Sequence, residues 1–181
     1  MLITAASSSV GYSAIQVVRA AGGVSIATTR KPEKTGALRQ AGADHVIVTG
    51  EEDLAARVME ITGGRGAELI FDAVAGRSME ALAAAAAREA TIFVYGVLSM
   101  KPTVFPLDTA LKKGLSLRGY TLYEIVSVPE RMERARKYIF DGLKSGALWP
   151  VIDRIFPLES IVEAHRYMES NQQNGKIVVE V

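Results

Sequence analysis

The segment Ala5-Ala6-Ser7-Ser8-Ser9-Val10-Gly11 joins a short apolar run to the start of a helical pattern, and nearly every side chain in it is small. Small residues at a strand-to-helix turn have a specific chemical use. They let the backbone bend tightly and bring its amides close to a pyrophosphate seated on the helix N-terminus. The usual dinucleotide loop, G-x-G-x-x-G, would put glycine at positions 6, 8 and 11. Here those positions hold Ala6, Ser8 and Gly11, so only the glycine that permits close helix–strand packing remains. The plain alternative is a small-residue turn with a serine N-cap.

About 20 residues beyond such a loop, a carboxylate would hydrogen-bond the ribose 2′-hydroxyl of NAD. This chain has Thr28-Thr29-Arg30-Lys31 there, with Lys34 close behind and no acid before Glu33. A carboxylate would repel a 2′-phosphate, whereas Arg30 and Lys34 would attract one through charge-assisted hydrogen bonds. The pattern favours NADP(H); the alternative is ordinary solvated charge at the start of a surface helix.

The elements that must position these residues alternate between β-rich runs and helical patterns, as in a parallel sheet wrapped by crossover helices. Strands are predicted at Leu2–Ala5, Val24–Thr28, His45–Val48, Leu69–Asp72, Thr91–Tyr95 and Leu115–Thr121. Helices are predicted at Val10–Ala21, Lys34–Gln40, Asp53–Ile61 and Ser78–Ala87, with Pro102–Pro106 as a loop. In the first helix Val10, Ala14, Val17 or Val18, and Ala21 recur at helical spacing and are expected inward. The alanine run Ala83–Ala87 is expected to be a helix face packed on the sheet. A long amphipathic helix, Glu130–Lys144, follows, with Met132, Ala135, Ile139 and Leu143 expected inward. Val151–Phe156, Leu158–Ser170 and Lys176–Val181 then form a β-α-β tail. Gly and Pro cluster at Gly146–Pro150, which places a boundary between a nucleotide-binding domain, residues 1–146, and a C-terminal segment, residues 147–181. The fold class expected is α/β: a Rossmann-type doubly wound parallel sheet of about six strands with a β-α-β tail.

Composition excludes several functions. Lys and Arg total 21 and Asp and Glu 20 in 181 residues, a net charge of +1 and no excess of base for neutralising phosphates of nucleic acid. No apolar run approaches the length of a membrane span. There is no cysteine, so neither a disulfide nor a thiolate zinc site can form within the chain. The expected location is the cytoplasm. None of the six tyrosines has lysine four residues on, as a short-chain dehydrogenase would require. Neither a P-loop Gly-Lys-Ser/Thr nor a Gly-x-Ser-x-Gly elbow occurs. The chain opens inside its first β-type run, which reads as a piece of something longer.

Ala5-x-x-Ser8-x-x-Gly11 followed by Ala14-Ile15-Gln16 resembles the A-x-x-G-x-x-G-x-x-A-I-Q loop of the quinone oxidoreductase branch of the medium-chain dehydrogenase/reductase family. Colinear matches follow at Ala41-Gly42-Ala43-Asp44-His45-Val46-Ile47, Gly64-Arg65-Gly66, Phe71-Asp72 and Arg118-Gly119-Tyr120-Thr121-Leu122. Phe156-Pro157-Leu158-Glu159, Ala164-His165 and Gly175-Lys176-Ile177-Val178 extend the likeness over essentially the whole chain. The chief departure is Ser8 in place of glycine.

The resemblance implies a set of cofactor contacts. Ser7, Ser8, Ser9, Val10 and Gly11 would take the pyrophosphate, and Thr29, Arg30 and Lys34 the adenosine phosphate. Tyr95, Gly96, Val97 and Leu98, with Tyr120, Thr121 and Leu122, would flank the nicotinamide. It also implies an N-terminal substrate domain, absent here, on which the C-terminal segment would pack. The only imidazoles, His45 and His165, read as structural or solvated, so no catalytic and no metal-binding residue is assigned. The expectation is the NADP(H)-binding part of an oxidoreductase acting on a quinone, enone or other carbonyl compound, inactive by itself. The alternatives are a nucleotide-binding module without turnover and the cofactor domain of a zinc-containing alcohol dehydrogenase whose metal ligands lie upstream. A homodimer through the strand 115–121 edge is also expected.

Overall fold

The computed structural model describes residues 1–181. Six parallel strands form one sheet: β1 (Leu2–Ile3), β2 (Ile26–Thr29), β3 (His45–Val48), β4 (Ala67–Asp72), β5 (Ala86–Val94) and β6 (Ser116–Gly119). Their order across the sheet is β3-β2-β1-β4-β5-β6, the doubly wound arrangement, with the direction of travel reversing between β1 and β4. Helices α1 (Ser9–Ala20), α2 (Thr35–Gln40), α3 (Leu54–Ile61) and α4 (Ser78–Ala85) make the crossovers.

Strand alternation divides the core between the two faces of the sheet. Ile3, Ala27 and Val46 face Tyr12, Ile15 and Val18 of α1 and Leu38 of α2. Their neighbours Leu2, Ile26 and Ile47 turn the other way, onto Val58 of α3 and Met79 and Leu82 of α4. Covered on both sides, all four residues of β2 are buried, as expected of a central parallel strand. In α1 the inward face matches the expected one only at Ala14 and Val18. Tyr12, Ile15 and Val18 are buried, whereas Val10 and Val17 are exposed. The large aromatic at Tyr12 sets the rotation, which the valine spacing does not reveal.

The alanine run is also divided differently. Ala83–Ala85 finish α4, and Ala86 already pairs with Ala67 in the sheet, with no loop between helix and strand. A side chain on Gly66 would land on the backbone of Ala86 and Ala87, which shows how closely the two segments pass. The helix end is closed instead by a side chain from far along the sequence. Lys113 Nζ donates to the carbonyls of Ala83, Ala84 and Ala86 at 3.1, 2.7 and 2.7 Å.

Beyond β5 lie α5 (Leu107–Lys113), α6 (Tyr123–Val126) and α7 (Pro129–Ser145); the first two were not expected from the sequence pattern. Proline opens α7 and Gly146, in the left-handed region, closes it. No residue of α7 is buried: Met132 and Ala135 are half covered, and Ile139 and Leu143, expected inward, are exposed because nothing lies over them. The tail runs β7 (Ile152–Pro157), α8 (Ile161–Glu169) and β8 (Lys176–Glu180), with β7 and β8 paired in parallel. After Ala110, only Ala164 and Gly175 are buried. No helix is long and apolar enough to cross a membrane.

Candidate functional site

Every residue expected to touch a cofactor lies towards the carboxyl edge of the sheet: in the bend after β1 and the first turn of α1, at the end of β2 and just beyond it, and in the segments that follow β5 and β6. With strands about 4.8 Å apart, the four steps from β2 to β6 span roughly 19 Å. Within that span the reversal between β1 and β4 opens the crevice in which ligands of such sheets bind.

The turn after β1 carries the bend. Ala5 stands at φ 46°, a strained conformation for alanine, and Ala75 in the facing turn after β4 is similar at 56°. Such strain persists only where the surroundings enforce it, and it concentrates at binding sites. A Cβ on Gly11 would lie 2.5 Å from Ala6 Cα, so the helix start packs on the strand end as only glycine allows. Ser8 is the N-cap of α1, its hydroxyl oxygen accepting from the Gly11 amide at 3.1 Å. The serine that replaces glycine therefore caps the helix, and its own proton stays free to donate outward. The amides of Ser7 and Val10 donate to nothing in the chain. An open groove of about 310 Å³ flanks this helix start, lined by Ser9, Val10, Ser13, Pro150, Val151 and Lys176.

At the end of β2, the Thr29 hydroxyl donates to the Lys31 carbonyl at 3.2 Å and shapes the turn. Arg30 is exposed and makes no ion pair. Lys34 is half-buried and donates at 2.7 Å to the main-chain carbonyl of Gln173 in the tail. Burial lowers its pKa, with the positive charges of Lys31 and Arg30 acting the same way and Asp153 opposing.

Two residues that carry the crevice escape sequence reasoning. Asp72, at the end of β4, is fully buried and receives the Thr4 hydroxyl at 2.6 Å and the amides of Val74 at 3.0 Å and Ala75 at 2.8 Å. Thr4 in turn accepts from the Ala73 amide at 3.0 Å. This network ties the turn after β1 to the turn after β4 across the strand reversal. In the sequence Asp72 stood out only as part of the Phe71-Asp72 match and as an acid ending an apolar strand, with no role assigned and nothing pointing to Thr4.

The residues expected at the nicotinamide begin with the turn after β5. The amides of Leu98 and Ser99 donate to the carbonyls of Ala73 and Val74, both at 3.0 Å, so this turn rests on the turn after β4. Tyr95 stacks on Phe71 with ring centroids 4.0 Å apart. Its hydroxyl is buried with no partner, and burial, helped by the nearby Asp72 charge, pushes its pKa up to about 12. Val97, Leu98 and Leu122 present exposed apolar side chains. Tyr120 meets Phe93 edge to face, and the Thr121 amide donates to Glu124 at 3.4 Å. Gly96 sits against the Ala73 carbonyl.

The tail also reaches the site, which the sequence did not indicate. The Gly175 amide donates to the Ser7 carbonyl at 3.2 Å, and Ser8 and Gly175 form an isolated parallel bridge. The side-chain oxygens of Gln173 and Asn174 are buried with no partner. Unpaired buried polar atoms are costly and call for a ligand or water. Together with the free amides of the bend and the unpaired Arg30, they suit a ligand rich in hydroxyl and phosphate groups. A metal finds no such match: no group of three or more His, Cys, Asp or Glu side chains is arranged to hold one, and His45 and His165 belong to separate elements.

Comparison with known proteins agrees with this geometry. The sequence profile of the zinc-binding dehydrogenases matches residues 9–139. A 2-haloacrylate reductase of a Burkholderia species is 28% identical over 181 residues, covering 99% of this chain and 54% of that protein. A quinone oxidoreductase of Pseudomonas aeruginosa is 28% identical over 180 residues, covering 99% and 55%. The crystal structure of Escherichia coli quinone oxidoreductase complexed with NADPH superposes with a TM-score of 0.91 at 27% identity, covering 99% of this chain and 56% of that one. The chain thus spans about half the length of the proteins it matches.

Proposed function

The chain belongs to the family of zinc-binding dehydrogenases, and from that premise we propose that it is the NADP(H)-holding part of a reductase acting on a quinone, enone or other carbonyl-type small molecule. The observation that carries this reading is the row of unpaired polar groups along the carboxyl edge of the sheet. The free Ser7 and Val10 amides, the Ser8 hydroxyl and the bare Gly11 suit a pyrophosphate at the start of α1. Arg30 and Lys34 suit a 2′-phosphate, on a turn shaped by Thr29 in which no carboxylate precedes Glu33.

When bound, NADPH supplies the hydride. The residues of this chain hold and shield it. Tyr95, Gly96, Val97 and Leu98 form one wall for a flat ring, and Tyr120, Thr121 and Leu122 another, with the apolar Val97, Leu98 and Leu122 excluding water. Zinc, which the family name implies, does not fit the residues present, and no step here runs through it.

We further propose that residues 1–146 are the cofactor domain and that residues 147–181, with α7, pack on a substrate domain outside this chain. The exposed Tyr138, Ile139, Phe140 and Leu143 and the scarcity of buried residues after Ala110 support this. Without that cover the cleft is half built and the chain by itself turns over no substrate. The free outer edge of β6 supports a homodimer formed by edge-to-edge pairing.

Calorimetric titration with both nicotinamide cofactors tests the cofactor reading. NADPH should bind more tightly than NADH, and Arg30→Ala should narrow the gap by roughly ten- to 150-fold, the range of a charge-assisted contact of about 1.5–3 kcal/mol. A dissociation constant for NADH equal to or below that for NADPH would remove the proposal.

A further inference from the structure

Lys34 and the dinucleotide bend are joined by the same three tail residues. The Lys34 ammonium donates to the Gln173 carbonyl, 139 residues away in sequence. Two residues on, the Gly175 amide donates to the Ser7 carbonyl. Residues 173–175 are therefore strung between the turn after β2 and the turn after β1. Gly175 stands at φ 113°, and a Cβ there would press on the Val151 carbonyl, so the strung conformation depends on glycine.

An ammonium carries three N–H donors, and the carbonyl takes one. A lysine on a free stem loses its rotamer freedom when it binds a phosphate; one already tethered does not, and so binds more tightly. We propose that the Gln173 carbonyl is a positioning group for Lys34: the tail segment 173–175 sets the preference for a 2′-phosphate by holding the ammonium at the turn after β2. A bound 2′-phosphate must then hold the segment in return, since coupling between two sites is reciprocal. This rests on the reading of Lys34 as a 2′-phosphate ligand.

The test uses adenosine 2′,5′-bisphosphate and 5′-AMP, which differ in the 2′-phosphate alone. In the unsubstituted chain, hydrogen exchange over residues 171–177 should slow by about threefold or more with the bisphosphate relative to 5′-AMP, and Lys34→Met should abolish the difference. Faster exchange with the bisphosphate would mean that Lys34 leaves the carbonyl to reach the phosphate, and would overturn the proposal.

Affinities complete the test as a double-mutant cycle. Gly175→Ala should lower the bisphosphate-to-AMP affinity ratio by about threefold or more in the parent, and leave it unchanged in a Lys34→Met background. A ratio unmoved by Gly175→Ala but lowered by Lys34→Met would refute the positioning role and leave the Lys34 contact standing. A ratio unmoved by Lys34→Met would remove the contact itself. If Gly175→Ala does not fold, the exchange measurement on the unsubstituted chain decides the matter.

Discussion

Asp72→Ala removes the group on which the crevice is closed. Three hydrogen bonds end on this fully buried carboxylate, from the Thr4 hydroxyl and the amides of Val74 and Ala75. A buried donor left without an acceptor costs about 1–3 kcal/mol. Val74 is half-buried and can recruit water, so the full cost falls on the hydroxyl and the Ala75 amide. Relief from burying a carboxylate offsets part of that sum. The net expectation is a loss of about 3 kcal/mol. At roughly 2–4 °C per kcal/mol for a chain of this size, Tm should fall by about 6–12 °C. Asp72→Asn keeps one acceptor and the volume but turns a second donor towards an amide or the hydroxyl, and should cost roughly half as much.

Circular dichroism melts read both variants, and calorimetry on the folded protein reads the site. NADPH affinity should fall in both, because the turns after β1 and β4 lose their tie. A Tm for Asp72→Ala within about 2 °C of the parent would refute the reasoning, since it would mean that the donors find other partners at little cost.

Further expectations follow from the same kind of accounting. Tyr95→Phe removes a buried hydroxyl that has no partner, so the melting temperature of the free chain should hold or rise. Cofactor affinity should fall, because the hydroxyl is then one of the groups awaiting the ligand; unchanged affinity would assign Tyr95 to packing alone. The Ser25 amide and hydroxyl, at 2.8 and 2.9 Å, hold the Asp44 carboxyl below its ordinary 3.8. A carboxyl held low in the folded state contributes stability that is complete above its unfolded pKa and is lost as pH falls through the folded one. Asp44 is largely exposed, so the contribution is under about 1 kcal/mol. Ser25→Ala should flatten the acid limb of Tm against pH below about pH 4, and an unaltered limb would contradict the assignment.

Much of the fold was legible because it is written in short-range patterns. The β3 strand lies where its apolar run predicts, Asp53 caps α3 through the Ala56 amide at 2.8 Å, and Pro129 and Gly146 bracket α7. The bend after β1 was legible for the same reason: its small residues and serine cap act within four positions of one another. The failures have a common cause. The rotation of α1 is set by Tyr12 packing on a sheet the pattern cannot see. The alanine run breaks into helix and strand because Gly66 lies against it and Lys113 caps it from 27 to 30 positions away.

By itself, the order of residues determined a doubly wound parallel sheet, a small-residue bend at the start of the first helix and a turn that carries base instead of acid. Each follows from neighbours in sequence, through hydrophobic period, capping and charge. Only the tertiary structure decided that Asp72 meets Thr4 from 68 positions away, that Tyr95 buries a hydroxyl without a partner, and that the tail crosses the bend to hold Lys34. Those pairings depend on which strands lie side by side and where the chain returns. Burial and close packing of the whole molecule select such contacts, and no local preference encodes them.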